Sequence, residues 1–174
     1  MRIVVAISGA SGVELGIKFV EYLPKDTIPY VITTANAKVV ARLEQKRVLE
    51  YRDNSNIGAD IASGSFGMDM MAVIPCSMNT LAKVANGIAD NLVTRVAAVA
   101  IKERKKLLLA PREMPFSPIA LENMYKLSML GITIAPPILG YYSDIKSVDD
   151  MERFIIGRWY DFLGIENTLY KRWK

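Results

Sequence analysis

Five short apolar runs predict buried β-strands, because they are rich in β-branched residues and end at turn signals. The predicted strands are Arg2–Ser8, Ile28–Thr34, Met70–Ile74, Leu107–Pro111 and the shorter Ile132–Ala135. Between them, apolar residues recur at helical spacing, with capping residues at the ends. The predicted helices are Val13–Leu23, Ala35–Glu50, Ser77–Ala85, Asn91–Arg104, Ser117–Leu130 and 148–163. This alternation predicts a three-layer α/β domain with a largely parallel sheet, in a single domain spanning residues 1–174.

The helical patterns also predict which side chains face the core. In the second helix, Val39, Val40 and Leu43 are expected to point inward, and Glu44 lies near the middle of the predicted helix. The last helix has a predicted core face made of Met151, Phe154, Ile155, Phe162 and Leu163. Because Arg158 follows Phe154 by four residues, it is expected on or beside that apolar face.

Polar, small-residue turns follow the predicted strands. They are Ser8–Gly12, Thr34, Ser77–Thr80 and Arg112-Glu113. In an open parallel sheet the carboxyl ends of the strands form the ligand-binding edge, and free N–H groups at helix starts attract anions. The first turn is neither a dinucleotide fingerprint, since Ser11 replaces the second glycine, nor a P-loop. For Ser8–Gly12, a tight turn without a ligand and a turn that binds a ligand are equally supported by the residues. The polar turns taken together predict that the protein binds a phosphorylated ligand.

The amino-acid composition limits which metal sites and which acid–base groups the protein can use. The chain is 51% apolar and 23% charged, as expected of a globular protein, and it contains no histidine. With one cysteine, Cys76, a zinc site is not expected, and acid–base chemistry must use Glu, Lys, Arg, Tyr, Ser or a phosphate. A lone cysteine fits a reducing cytoplasm. There is no apolar run of membrane-spanning length and no signal-peptide pattern, so neither membrane insertion nor secretion is expected.

The charged residues do not by themselves indicate one function. The net charge is +4, with basic clusters at Lys102–Lys106 and Lys171–Lys174. Without interleaved aromatic residues they predict solvated helix ends, and no nucleic-acid binding is expected. Arg95 and Lys102 are seven residues apart on a mostly apolar helix, so they share a face and either pair with anions or reach solvent. For Glu44, the residues alone favour a solvated surface carboxylate.

Several motifs taken together resemble the UbiX-type flavin prenyltransferases over essentially the whole chain. The motifs are Ser8-Gly9-Ala10-Ser11-Gly12, Ser63-Gly64-Ser65, Pro75-Cys76-Ser77-Met78-x-Thr80-Leu81, Asn91-Leu92-x-x-Arg95, Lys102-Glu103-Arg104, Pro111-Arg112-Glu113-x-Pro115, Leu121-Glu122-Asn123-Met124 and Arg172-Trp173. The chain departs from that family in two places. Thr34 replaces the usual serine, and Ile119 stands where many relatives have a histidine.

The resemblance implies a Rossmann-like fold and a metal-independent reaction. Reduced FMN would be prenylated by dimethylallyl phosphate, with a fourth ring formed across N5 and C6. The product would serve as the cofactor of a UbiD-type decarboxylase. The family forms dodecamers, with the site between subunits.

The resemblance also implies residue roles. The positions that contact FMN are Gly9, Ala10, Ser11, Thr34, Ser77, Met78, Asn79, Thr80 and Arg112. The positions that hold the donor phosphate are Arg95, Lys102, Tyr142 and Arg158. The positions implied beside the chemistry are Ser11, Glu44, Lys102 and Glu113. Glu44 is placed by its spacing of ten residues from Thr34.

The sequence leaves two alternative functions. A flavin-dependent cysteine decarboxylase of the same superfamily would rely on an active-site histidine, which this chain lacks. A non-enzymatic flavin carrier would keep Ser77–Thr80 and Arg112 but would not need Tyr142, Arg158 and Lys102. Their joint presence favours the enzyme.

Overall fold

The computed structural model describes residues 1–47 and 51–173, and its sheet confirms the predicted α/β class. The strands are β1 (Arg2–Ile7), β2 (Ile28–Thr33), β3 (Arg52–Asp53), β4 (Met70–Cys76), β5 (Lys106–Pro111) and β6 (Thr133–Ile134). The helices are α1 (Val13–Glu21), α2 (Ala35–Leu43), α3 (Met78–Ala85), α4 (Leu92–Lys102), α5 (Pro118–Met129) and α6 (Val148–Leu163). Two 3₁₀ turns, Asp60–Ala62 and Gly64–Phe66, precede β4.

The six strands form one parallel sheet in the order β3-β2-β1-β4-β5-β6. This is the Rossmann order, and the direction of winding reverses between β1 and β4. A crevice therefore opens outside the carboxyl ends of these two strands, which is where such folds bind ligands. The sheet topology thus places the polar turns after β1, β2 and β4 around one crevice.

Helices cover both faces of the sheet. On one face, Ile3 and Val5 of β1 pack with Phe19 of α1 and with α6, and Ile7 packs with Val13 of α1 and with α2. On the other face, β1 and β4 pack against α3 and α4. Because both faces are covered, the central strands are buried along nearly their whole length, which explains their continuous apolar runs.

α6 is anchored by its two largest buried side chains. The indole N–H of Trp159 donates to the carbonyl of Ala135 at 2.9 Å, and the Tyr160 hydroxyl donates to the carbonyl of Phe19 at 2.5 Å. Both polar tips are therefore satisfied inside the core, as buried Trp and Tyr require. These bonds fix α6 against α1 and the end of β6.

The prediction for α2 was wrong in length and in two of its three inward residues, whereas Val40 is partly buried against the core as predicted. The helix ends at Leu43, with Glu44 as its C-cap, and the predicted continuation through residues 48–50 lies outside the described residues. Val39 and Leu43 are 50% and 79% exposed, whereas Ala37 and Ala41 are buried. Ala37 and Ala41 share a face at a spacing of four, and their small side chains let α2 approach α1 closely.

Three smaller predictions also need correction. Phe162 was expected in the core, but it is 45% exposed and lies beneath the Arg158 guanidinium, 4.9 Å from ring centroid to Cζ. β4 continues through Pro75, which follows a cis peptide bond, to Cys76. The loop predicted at Tyr51–Ala59 contains β3, a two-residue polar strand whose pairing with β2 has no hydrophobic signal.

In the described residues no helix is long and apolar enough to cross a lipid bilayer. The same residues include no cluster of three or more Cys, Asp or Glu side chains placed to hold a metal ion.

Candidate functional site at the carboxyl edge of the sheet

Ser8 joins the turns that follow β1 and β4. Its hydroxyl donates to the carbonyl of Pro75 at 2.8 Å and accepts from the backbone N–H of Ser77 at 2.8 Å. The backbone N–H of Thr34 donates to the carbonyl of Ile7 at 3.1 Å, which adds the turn after β2. Three segments distant in sequence are thereby held together at one edge.

A polar cavity of about 300 Å³ opens between these turns. It is lined by Gly9, Thr34, Ala35, Asn36, Asn54, Ser77, Asn79, Thr80, Lys83 and Asn91. Thr34, Ser77 and Asn91 are the N-caps of α2, α3 and α4, so three helix amino termini surround one space. The positive ends of three helices make this cavity suited to a phosphate. The Lys83 ammonium, which also lines it, pairs with Asp90 at 2.6 Å.

The N-caps at this cavity are local structures. The Ser77 hydroxyl accepts from the N–H of Thr80 at 3.3 Å and lies 3.0 Å from the Thr80 hydroxyl. The Thr34 hydroxyl accepts from the N–H of Ala37 at 3.1 Å. Cap hydroxyls of this kind satisfy the first N–H groups of the helix and can also reach a bound anion.

Gly9 is the residue of the first turn that lines the polar cavity. A Cβ atom at this position would lie 2.4 Å from the Cβ of Asn36, so the close approach of the turn to α2 requires glycine. The turn ends at Gly12, whose φ of 89° is left-handed and which is the N-cap of α1. Ala10 and Ser11 lie between them and are partly buried.

Glu44 is not the solvated surface carboxylate that the residues alone favoured. Its two carboxylate oxygens lie 3.2 and 3.3 Å from the backbone N of Gly12, at the amino terminus of α1. Three residues later, the Arg47 guanidinium pairs with Glu14 at 2.8 Å and with Glu21 at 2.5 Å, both on α1. The segment that carries Glu44 is therefore tied to the glycine-rich turn.

Tyr142 and Arg158 line a second cavity, which is apolar and has a volume of about 320 Å³. Its walls are Ile134, Ala135, Pro136, Ile138, Leu139, Gly140, Phe154, Ile155, Trp159 and Phe162. The Tyr142 ring packs edge-on against Phe154 and Trp173, with centroid distances of 5.4 and 5.3 Å. A cation and a phenol beside an apolar pocket suit a ligand with one anionic end and one hydrocarbon end.

Arg112 and Glu113 follow β5, which lies between the strands that border the two cavities. The backbone N–H of Arg112 donates to the carbonyl of Cys76 at 3.2 Å, and both side chains are exposed. Cys76 itself is fully buried, and burial raises the pKa of its thiol to about 12. It is therefore a neutral core residue at neutral pH, not a nucleophile.

Arg95 and Lys102 are both exposed, but they lie at opposite ends of α4. The helix begins near Asn54 at the carboxyl edge and runs for about 16 Å to the amino edge. There the Lys102 ammonium pairs with Glu103 at 2.5 Å and lies beside Gly64. Arg95 lies one helical turn after Asn91, which lines the polar cavity, whereas Lys102 of the same chain does not line the apolar cavity of Tyr142 and Arg158.

Two sets of residues at the cavities were not predicted from the sequence to belong to the site. Asn54 caps α4 from 39 residues away, since its side chain accepts from the N–H of Val93 at 2.9 Å. Asp161 and Tyr170 contact Arg158. No local sequence pattern predicts the pairing of Asn54 with α4. The Tyr-Lys-Arg-Trp sequence near the C-terminus could have indicated that Tyr170 belongs to the site.

Comparison with known proteins agrees with this geometry. The model of the flavoprotein family matches residues 1–159. A flavin prenyltransferase UbiX of Helicobacter pylori (strain ATCC 700392 / 26695) is 45% identical over 184 aligned positions, covering 99% of this chain and 98% of that protein. The flavin prenyltransferase UbiX of Thermoplasma acidophilum is also 45% identical, covering 99% of this chain and all of the relative.

Solved structures give the same result. A dodecameric FMN-dependent UbiX-like decarboxylase from Escherichia coli O157:H7 superposes with a TM-score of 0.95 at 37% identity, over the whole of both chains. AnUbiX (PadA1), in complex with FMN and dimethylallyl pyrophosphate, superposes with a TM-score of 0.94 at 34% identity, over 99% of this chain and 97% of that one. The cysteine decarboxylase SpaF, at 19% identity, shares the fold alone. The chain therefore belongs to the flavoprotein family and, within it, to the UbiX-type flavin prenyltransferases.

Proposed function

We propose that this protein transfers a dimethylallyl group from dimethylallyl phosphate to reduced FMN, closing a fourth ring across N5 and C6. The observation that carries the proposal is the pairing of two unlike cavities at one sheet edge. One is polar and ringed by helix amino termini, and the other is apolar with Tyr142 and Arg158 beside it. A flavin phosphate suits the first and an allylic phosphate suits the second.

FMN binding is assigned to the turns around the polar cavity. Its phosphate would lie at the amino terminus of α3, with the hydroxyls and N–H groups of Ser77–Thr80 and Thr34 as donors. Gly9, Ala10 and Ser11 would allow the flavin to approach the backbone closely. Arg112, which follows β5, would direct its guanidinium toward the flavin, which extends from one cavity toward the other.

The donor is assigned to the apolar cavity. Arg158 and Tyr142 would hold its phosphate, and the C5 chain would occupy the apolar walls. Loss of the phosphate leaves negative charge on the leaving group, which these two donors stabilise. The developing allylic cation is favoured by a water-poor surrounding with aromatic faces, as Phe154 and Trp159 provide.

Lys102 and Arg95 are assigned to the same donor phosphate through assembly. Because Lys102 lies at the amino edge of its own sheet, it would reach the phosphate of a neighbouring subunit in a homo-oligomer. The dodecameric state of the E. coli relative supports this arrangement. We propose a homo-oligomer, and a dodecamer in particular, with each site completed by a second copy of the chain.

Ring closure releases a proton, and the chain has no histidine to accept it. The candidate acceptors are Glu113, Glu44 and the released phosphate, and Ser11 lies in the turn that Glu44 contacts. Glu44 is the best positioned of the side chains, since it is held against Gly12. None of these groups requires a metal ion.

We further propose that the prenylated flavin is handed to a UbiD-type decarboxylase and that the protein works in the cytoplasm. The single, buried Cys76 is consistent with a reducing compartment. Neither a membrane nor a nucleic acid is expected as a partner.

The decisive experiment is anaerobic. Purified protein is incubated with reduced FMN and dimethylallyl monophosphate, without added metal, and the extracted flavin is weighed by mass spectrometry. A gain of one C5H8 unit is expected. Bound FMN of unchanged mass, with the monophosphate and also with the diphosphate, would favour a flavin carrier and reject the transferase.

A further inference from the structure

Asp161 is the centre of a hydrogen-bond cluster that joins α6 to residues 165–173, the C-terminal segment. Its Oδ2 accepts from Arg158 at 3.3 Å, from Arg172 at 3.1 Å and from the Tyr170 hydroxyl. Its Oδ1 accepts from Arg172 at 2.8 Å and from the Asn167 amide at 3.0 Å. The Asp161 side chain is only 18% exposed, so water has little access to its carboxylate.

In the described residues, both oxygens of the Asp161 carboxylate act only as acceptors, for N–H and O–H groups that donate to them. Burial raises the pKa of Asp161, but the bonds from Arg172, Tyr170 and Asn167 outweigh it and hold the pKa below its usual range. An acceptor with two oxygens is therefore required here. An asparagine would direct an NH₂ group at donors on one side and break part of the cluster.

The cluster faces the apolar cavity through Arg158. The Arg158 Nη1 lies 3.3 Å from both Asp161 and the Tyr170 hydroxyl, and its Cζ lies 4.9 Å from the centroid of Phe162. These contacts engage one nitrogen and one face of the guanidinium. The remaining N–H groups stay available for a phosphate, which prefers a guanidinium of fixed orientation.

We propose that Asp161 is a positioning residue that orients Arg158 at the apolar cavity, with Tyr170 and Arg172 of the C-terminal segment completing the arrangement. The proposal rests on the proposed function, because it assumes that Arg158 binds the donor phosphate. The Tyr-Lys-Arg-Trp sequence, residues 170–173, then has a role at the site. That sequence positions the donor-binding residues, since Trp173 also packs against Tyr142.

The test measures binding of dimethylallyl monophosphate to protein loaded with oxidised FMN, by calorimetry. Asp161→Asn is expected to weaken donor binding about tenfold while FMN affinity stays unchanged, because a charge-assisted contact to the phosphate loses its orientation. In an Arg158→Ala background the same substitution is expected to have no further effect, since Asp161 acts through Arg158. Unchanged donor binding in Asp161→Asn, or a further tenfold loss in the double variant, would overturn the proposal.

Asp144→Asn is the matched control. It removes the 2.9 Å ion pair between Asp144 and Lys171, which tethers the same segment without touching Arg158. Asparagine also tolerates the left-handed backbone at this position, where φ is 53°. Donor binding should not change, and an equal loss in both variants would show general loosening of the segment and reject the proposal.

If Asp161→Asn fails to fold, its melting temperature will show it. In that case the donor-binding test is made with Tyr170→Phe instead. This change removes the hydroxyl but keeps the ring contact with Phe154, 5.2 Å between centroids. Tyr170→Phe is expected to bind the donor at least threefold more weakly, as loss of about one hydrogen bond implies. Unchanged donor affinity in this variant would overturn the proposal. If the wild-type protein itself binds no donor, the proposed function fails instead, and the inference falls with it.

Discussion

The carboxylate of Glu44 rests on the backbone N–H of Gly12, with both oxygens within 3.3 Å of that nitrogen. The contact spans 32 residues and places an acidic side chain at the positive end of α1, beside the glycine-rich turn. A carboxylate is favoured at a helix amino terminus, where it complements the positive end of the helix dipole. Under the proposed function, this contact holds Glu44 beside the turn assigned to FMN, where it is one of the candidate proton acceptors.

Glu44→Gln should retain FMN binding but lower the rate of prenyl-FMN formation by roughly 10²–10⁴-fold, the usual contribution of a general base. The amide oxygen can still accept from Gly12, so the local structure is preserved. Single-turnover formation of product, followed by mass spectrometry, is the measurement. Glu166→Gln, an exposed carboxylate of the C-terminal segment, is the control, and equal rates in both variants would exclude Glu44 from the chemistry.

Gly9→Ala should weaken FMN binding and lower the free energy of unfolding by about 1–3 kcal/mol, because the new methyl group would overlap Asn36. Thermal melting and a fluorescence titration with FMN measure the two effects. Gly58→Ala is a suitable control, since its nearest neighbour, the Asn56 Oδ1, would lie 3.6 Å away. Tight FMN binding in Gly9→Ala would contradict the assigned role of the turn.

Ser77→Ala and Ser117→Ala form a matched pair. Each serine is the N-cap of a helix, and each hydroxyl accepts from the N–H three residues later, at 3.3 and 3.1 Å. Both changes should cost about 1 kcal/mol of stability, measured by chemical denaturation. Ser77→Ala should also weaken FMN binding, whereas Ser117→Ala should not, because Ser117 does not line the polar cavity. An equal effect of both on FMN affinity would place the flavin phosphate elsewhere.

Arg158→Ala should leave FMN bound and abolish product, because the donor phosphate loses its main cation. Product analysis and FMN titration of the same sample separate the two effects. Full turnover of Arg158→Ala would show that the donor phosphate is bound by other groups.

Mixed oligomers test whether the site is shared between subunits. Lys102→Ala and Arg158→Ala should each be inactive alone. If Lys102 serves a neighbour's site, then co-refolding or co-expression of the two variants should restore part of the activity, because some sites would contain both intact residues. The same mixture would stay inactive if both residues had to come from one chain.

Local sequence was enough to predict the alternation of strands and helices. Ser77, Ser117 and Ser147 each cap the helix that the pattern predicted, because an N-cap is formed within four residues of chain. The polar ends of β1, β2, β4 and β5 were also readable, since parallel strands place their carboxyl ends at one edge. The motif resemblance then supplied the residue roles.

Only the tertiary structure decided what those residues touch. Glu44 contacts Gly12 because α2 ends earlier than its helical pattern predicted and packs on α1 through Ala37 and Ala41. Lys102 lies away from Arg158 because α4 runs from one edge of the sheet to the other. Asp161 is partly covered by the C-terminal segment, which returns over α6 and donates hydrogen bonds to its carboxylate. Such contacts depend on packing between distant segments, and the spacing of residues along one segment carries no information about them.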